Sequence, residues 1–354
     1  MTTILAFIFV LGLLIFVHEL GHFIVAKRVG IKVEKFSLGF PPKLIGFRIG
    51  ETEYCISVIP LGGYVKMAGE NPDDTQSTGA PYEFMSKTPL QRAAVISAGP
   101  IMNYVTAFVI YFALFLIHGD LMYDKGKVVI GVIGDDSPAQ IAGLQVDDVI
   151  LSVNGTKVTS ITELSGIVSP KIGQEVTIEY QRGSVIDTIA AVTALDSAMN
   201  MNGQMEHVGR IGVGQKTWWE PVGFLGSVKR GAERTWNMGL LIFDFLWRLV
   251  SGQVSPKLIG GPLFIAEFSG EAARQGASTL FEFIAMLSVN LAILNVLPIP
   301  VLDGGHLVFL VIESIRRRPL SLKQRALVQQ VGLAFLVMLI MFVTYNDIAR
   351  WIAK

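Results

Sequence analysis

The sequence predicts a multi-span α-helical membrane protein: four transmembrane helices, a membrane-associated β-hairpin and one β-rich domain outside the bilayer. Three observations carry this. Of 354 residues, 51% are hydrophobic and only 16% charged, against about 25% charged in soluble domains. Four stretches are apolar and long enough for a bilayer core of roughly 30 Å. Residues 126–196 break with that pattern and alternate short β-type runs with turns. The formal net charge of zero gives no footing for a nucleic-acid partner. The single cysteine, Cys55, excludes an internal disulfide framework and a multi-cysteine zinc site.

The first span, 4–26, lies in a segment 1–28 whose apolar run is charged only at Glu19. No Lys or Arg precedes Lys27, and the run is too long for a cleaved signal peptide, which wants a basic n-region and a small-residue cleavage site. In the next segment, 29–92, "KLIGFRIGETEYCISV" alternates Ile45, Phe47 and Ile49, then Tyr54, Ile56 and Val58, around Gly-Glu-Thr-Glu. Period-two alternation about a turn reads as a β-hairpin. The following "ENPDDTQSTGAPYEF" reads as polar loop. The second span occupies 93–118 and is uncharged over 93–117.

Residues 119–200 carry short strands, a short helix at Ser137-Pro138-Ala139 to Ala142-Gly143-Leu144, and a hairpin turn at Asn154-Gly155, which suits a type I′ turn. This string resembles a PDZ domain, with Asp147 standing where a glycine commonly precedes the aspartate. Residues 201–280 are a linker with interfacial helices. There "MGLLIFDFLWRLVSG" is too short and too charged to span, carrying Asp244 and Arg248, and Trp247 suits the membrane–water boundary. The third span, 283–302 within 281–315, is broken by Pro298 and Pro300. A basic loop, 316–325, precedes the fourth span, 326–345 within 326–354.

Basic residues set the orientation. Lys27, Arg28, Lys32, Lys35, Lys87 and Arg92 flank the loop after span one, and Arg316, Arg317, Arg318, Lys323 and Arg325 fill the loop before span four. Both loops are expected inside, with the termini and residues 118–280 outside.

Charge within an apolar span is costly and marks a functional-site hypothesis. His18-Glu19-Leu20-Gly21-His22 places two histidines four apart on one helix face, able to grip one metal ion while Glu19 activates a water. Zinc suits imidazole ligands. The soluble-protease pattern, with a third histidine six residues further, fails because that position is Arg28 and its glycine position is Val25. Asp303, the only acidic residue between Glu282 and Glu313, sits among Pro298, Pro300, Gly304 and Gly305 in a broken helix, as expected beside a membrane cavity. It is the candidate third ligand, with His306 the competitor.

H18-E-L-G-H22, "AGPIMN" (98–103) and "NVLPIPVLDGG" (295–305) together resemble the site-2 protease family of intramembrane zinc metalloproteases, in its bacterial PDZ-containing branch. The resemblance spans nearly the whole chain. It implies one catalytic zinc held by His18, His22 and Asp303, Glu19 as catalytic base, and Asn295 and Asn103 as substrate-binding residues. It also implies single-span membrane-protein substrates, such as pre-cut anti-sigma factors or signal-peptide remnants. The implied location is the bacterial inner membrane, with the active site near the cytoplasmic side. Two rivals from other classes stand beside it. A broken-helix transporter would want repeated halves, which the sequence lacks. A non-catalytic PDZ scaffold leaves the metal constellation unexplained.

Overall fold

The computed structural model describes residues 1–70, 78–200, 205–316 and 321–352. Part of the polar loop after the hairpin and residues 317–320 of the expected basic loop 316–325 therefore lie outside the described residues. The chain divides into two compact units, 1–114 with 225–247 and 259–354, and 115–224 with 248–258.

The first unit opens with helix α1, Thr2–Arg28, followed by strands β1, Val33–Ile49, and β2, Thr52–Met67. The hairpin turns at Gly50 and Glu51, as its alternation predicts. Both strands then fold back on themselves. Tyr54, Cys55 and Ile56 pair on one side with Phe47, Gly46 and Ile45, and on the other with Phe36, Ser37 and Leu38. Phe36 and Ser37 pair in turn with Val65 and Tyr64. The order across this sheet is therefore 43–49, 52–59, 33–40, 63–67. Its buried residues Val33, Phe36, Val65 and Met67, with Ile31 just before β1, pack with Ala26 of α1.

Helix α2, Pro89–His118, follows a short 3-10 turn. The strands and helices of the second unit come next: β3 (Asp120–Tyr123), β4 (Val128–Ile133), α3 (Pro138–Ala142), β5 (Val149–Val153), β6 (Thr156–Lys157), α4 (Ile161–Val168), β7 (Glu175–Arg182), β8 (Val185–Val192), β9 (Ala194–Met199), β10 (Met205–Arg210), β11 (Val213–Gln215) and β12 (Thr217–Glu220). The main sheet runs β11-β4-β5-β7-β8, with β6 on β5, while β9-β10 and β3-β12 form two-stranded ribbons. The sheet thus takes its edge strand from 213–215, beyond the boundary expected at residue 200. Ser137 caps α3, accepting from the Gln140 amide, and Gly143 closes it at φ 95°, a left-handed end that glycine adopts freely. Asn154 (φ 50°) and Gly155 (φ 75°) make the predicted turn. Val128, Ile130, Ile150, Val153, Val176 and Ile178 fill the core, each worth about 1.5–3 kcal/mol of apolar burial.

The chain continues with α5, Phe224–Val250; α6, Pro262–Gln275; α7, Ala277–Val296; α8, Asp303–Arg316; and α9, Leu322–Ile352. Among the described residues, four helices are long and apolar enough to cross a membrane: α1, α2, α7 and Lys323–Ile352. They leave large apolar side chains such as Ile4, Phe9, Val105, Val109, Val331 and Met338 uncovered, as lipid-facing surfaces do. The third span differs from the expected 283–302. Its helix starts at Ala277 and stops at Val296, because Pro298 and Pro300 lack the amide donors a helix needs. The chain then crosses 297–302 in extended and turn conformations before α8 starts at Asp303. The helix expected at 238–252 is also longer, starting at Phe224. Its buried stripe is Ser227, Gly231, Thr235 and Gly239, small residues at every fourth position that let helices approach closely.

Candidate metal centre

The site is built from helix packing in the first unit. His18 and His22 stand one turn apart on α1. Close approach of α2 fixes that face: a Cβ on Gly21 would lie 2.3 Å from the Ala98 carbonyl oxygen, and one on Gly99 would lie 2.3 Å from His22 Nε2 and 2.8 Å from His18 Nε2. Both glycines are therefore required by space. The Val95 carbonyl, 2.8 Å from His22 Nδ1, accepts that nitrogen's proton, which leaves Nε2 with its lone pair free.

Asp303 arrives from the other end of the chain. Cβ atoms on Gly304 and Gly305 would meet the carbonyl oxygens of Val296, Leu297 and Ile299 at 2.2–2.4 Å. The start of α8 can fold against the end of α7 only with glycine there. Val301, two residues before Asp303, is held at φ 84°, an outlier for a β-branched residue of the sort that concentrates at functional sites.

His18 Nε2 lies 3.1 Å from Asp303 Oδ2, His22 Nε2 lies 3.6 Å from the same oxygen, and the two Nε2 atoms are 3.1 Å apart. Two donors about 2.0–2.1 Å from one tetrahedral ion stand about 3.3 Å apart, so this triangle has the dimensions of a zinc ligand set. Asp303 Oδ2 is buried and makes no hydrogen bond among the described residues. The residues fit the metal. His18, His22 and Asp303 are also the one group of three or more metal-ligating side chains close enough to hold an ion among the described residues.

A cavity of about 900 Å³ opens on the triangle. Glu19, His306 and Asn295 line it, together with Gly63–Met67 of β2 and Glu70. Strand β2 lies directly against Glu19, since a Cβ on Gly63 would come within 3.1 Å of Glu19 Cγ. Arg92, Glu313 and Arg325 also line the cavity: Arg92 stands 3.6 Å from Glu313 Oε2, and Arg325 pairs with its Oε1.

The six residues expected to act at the site, and the competing ligand His306, fall in this one region. Asn295 lines the cavity, with its Nδ2 3.5 Å from His18 Nδ1. Asn103 is fully buried, with its Nδ2 3.3 Å from the same ring nitrogen. Sequence reasoning passed over Gly99, although it stands inside the quoted "AGPIMN", and over the Arg92–Glu313–Arg325 group, which reads as orientation-setting charge.

The family model described as peptidase family M50 matches residues 6–339. The zinc metalloprotease RasP of Oceanobacillus iheyensis is 33% identical, with 99% of each chain covered. The regulator of sigma-W protease RasP of Bacillus subtilis is 33% identical, with 98% of each covered. Among solved structures, the PDZ domain of an SdrC-like protein from Listeria monocytogenes covers 27% of this chain and 92% of its own, at 23% identity and a TM-score of 0.21.

Proposed function

The chain belongs to peptidase family M50, and from that premise we propose that it is an intramembrane zinc metalloendopeptidase hydrolysing a peptide bond in or near the membrane segment of single-span proteins. The observation that carries this reading is the triangle of His18, His22 and Asp303 donors at 3.1–3.6 Å, with Glu19 in the same cavity among apolar helices.

His18, His22 and Asp303 would hold the zinc. When bound, zinc supplies Lewis-acid polarisation of the scissile carbonyl and brings the pKa of a water down to about 7. Glu19 takes the proton of the attacking water and later delivers it to the leaving amine. Asn295, on the cavity wall, donates hydrogen bonds to the substrate backbone.

A helical substrate hides its peptide bonds and must unwind before attack. A sheet edge holds an unwound stretch by strand addition. Residues 52–59 cannot serve, being flanked on both sides by 43–49 and 33–40. The edge at 63–67 fits, since it lines the cavity beside Glu19 and closes its sheet by pairing with 33–38.

The second unit, read as a PDZ domain outside the membrane, admits substrates already cut down by an earlier cleavage. The name of the Bacillus subtilis relative, a regulator of sigma-W protease, favours membrane-bound anti-sigma factors as one such class. The basic loops favour an active site near the cytoplasmic face of a bacterial inner membrane.

The test is cleavage of a single-span substrate by purified protein. Wild type cleaves, and Glu19→Gln retains zinc while losing about 10²–10⁴-fold in rate. Equal cleavage by both would remove Glu19 from the mechanism. Asp303→Asn loses zinc; full metal content and activity in that variant would pass the third ligand to His306.

A further inference from the structure

We propose that Asn103 is a positioning residue: its amide oxygen accepts the Nδ1 proton of His18 and so presents Nε2, with its lone pair, to the metal. The inference rests on His18 binding through Nε2 and gives Asn103 a task away from the substrate.

Three observations meet at this side chain. Asn103 is 0% exposed, and the cavity that Asn295 lines is not bounded by it. Its Nδ2 sits 3.3 Å from His18 Nδ1. Its Oδ1 is buried with no hydrogen-bond partner among the described residues.

These facts conflict as they stand. If His18 Nδ1 carries the proton, two donors face each other. If Nδ1 accepts from the amide, the proton sits on Nε2 and blocks ligation, although Nε2 is the atom that faces Asp303 and His22 at 3.1 Å. The two ends of an amide fill the same space and are told apart by hydrogen bonding alone. Turning the Asn103 amide by half a turn makes Oδ1 the acceptor of Nδ1–H and converts the clash into a bond.

The neighbours keep it there. Gly99, one turn earlier on α2, touches both imidazoles, and the Ser288 hydroxyl donates to the Asn103 backbone carbonyl at 2.8 Å, tying α7 to this level of α2. The Val95 carbonyl performs the same task for His22. α2 thus supplies both acceptors: a backbone oxygen for one histidine and a side-chain oxygen for the other. Asn295, also near His18 Nδ1 but open to the cavity, is left free for substrate.

The experiment measures zinc affinity of the full-length, detergent-purified protein against a chromophoric chelator, for wild type, Asn103→Leu and Asn103→Asp. Thermal unfolding in excess chelator reports on folding without the metal. Loss of an outer-shell partner of this kind costs about 10–100-fold in metal affinity. Asn103→Leu is expected to fall by that factor. Asn103→Asp, which keeps an acceptor and no donor, is expected to stay within about threefold of wild type.

An interhelical hydrogen bond with no role at the metal would lower unfolding temperature in the leucine variant and leave zinc affinity alone. That result overturns the proposal, and a raised KM beside it would return Asn103 to the substrate. Equal zinc loss in both folded variants also overturns it. Should the leucine variant fail to fold, the aspartate variant decides, retained zinc supporting and lost zinc refuting. Absence of zinc from wild type itself would fell the ligand assignment instead, a separate outcome.

Discussion

Substituting Gly99 by alanine tests the geometry at its tightest point. The added methyl would stand 2.3 Å from His22 Nε2, 2.7 Å from His18 Cε1 and 2.8 Å from His18 Nε2. Carbon contacts are comfortable from about 3.5 Å, so the rings or the helix must give way by about 1 Å. α2 has little freedom to retreat, because the Ala98 carbonyl is already packed on Gly21 of α1. The rings therefore move, and with them the Nε2 lone pairs that define the ligand triangle. A misplacement of about 1 Å in a catalytic constellation costs about 10²-fold in rate. We expect Gly99→Ala to cleave a single-span substrate about 100-fold more slowly and to hold zinc more weakly, in a protein that still inserts and purifies as a folded species. Gly12→Ala on the same α1 is the control, since nothing lies within 4 Å of its Cβ position. Cleavage and zinc content within about threefold of wild type in Gly99→Ala would refute the packing argument.

Removal of the metal with 1,10-phenanthroline should abolish cleavage, and added Zn2+ should restore it; activity surviving full chelation would separate the chemistry from the ligand triangle. Asp347→Ala should destabilise the first unit by about 1–2 kcal/mol, because its carboxylate accepts from the Gly261 and Phe264 amides at the start of α6; Asp347→Asn should recover most of that in thermal unfolding. In the second unit, burial raises the Asp148 carboxyl, but Arg182 and the Gln145 amide outweigh it and hold the group below its usual range. Its contribution is therefore complete above the unfolded pKa of about 3.9 and is lost as pH falls through the lower folded value. Amide-exchange protection of 175–192, corrected for intrinsic rate, should drop over that window in wild type, and Asp148→Asn should flatten the drop.

The apolar spans are legible because one property, a long apolar run with at most one charge, decides them. The hairpin was legible as a hairpin, since Ile45, Phe47, Ile49 and Tyr54, Ile56, Val58 alternate about one turn. Its four-segment order is not, because alternation says which face a residue takes and nothing about a strand pairing on both sides. The sequence shows α5 short, at 238–252, because Asp244 and Arg248 interrupt its apolar run. The informative signal was the fourfold spacing of Ser227, Gly231, Thr235 and Gly239. Residues 213–215 joined the main sheet through pairing with β4, a long-range contact that three residues of sequence do not announce. At the site, ligating residue types are conspicuous in an apolar helix. Gly99 and the Val95 carbonyl are not, since one acts by lacking a side chain and the other through its backbone.

The return of the chain at Val296–Asp303 also bears on how the protein is made. His18, Glu19 and His22 leave the ribosome within the first span, and Asp303 follows only after the second unit, α5, α6 and α7. With these three as ligands, a nascent or half-inserted chain carries two histidines and no carboxylate. The two glycines after Asp303 must then find the carbonyls at the end of α7 before the triangle closes. Proteolytic competence thus arrives late in biogenesis, and an unfinished molecule lying among other proteins' helices is unable to cut them.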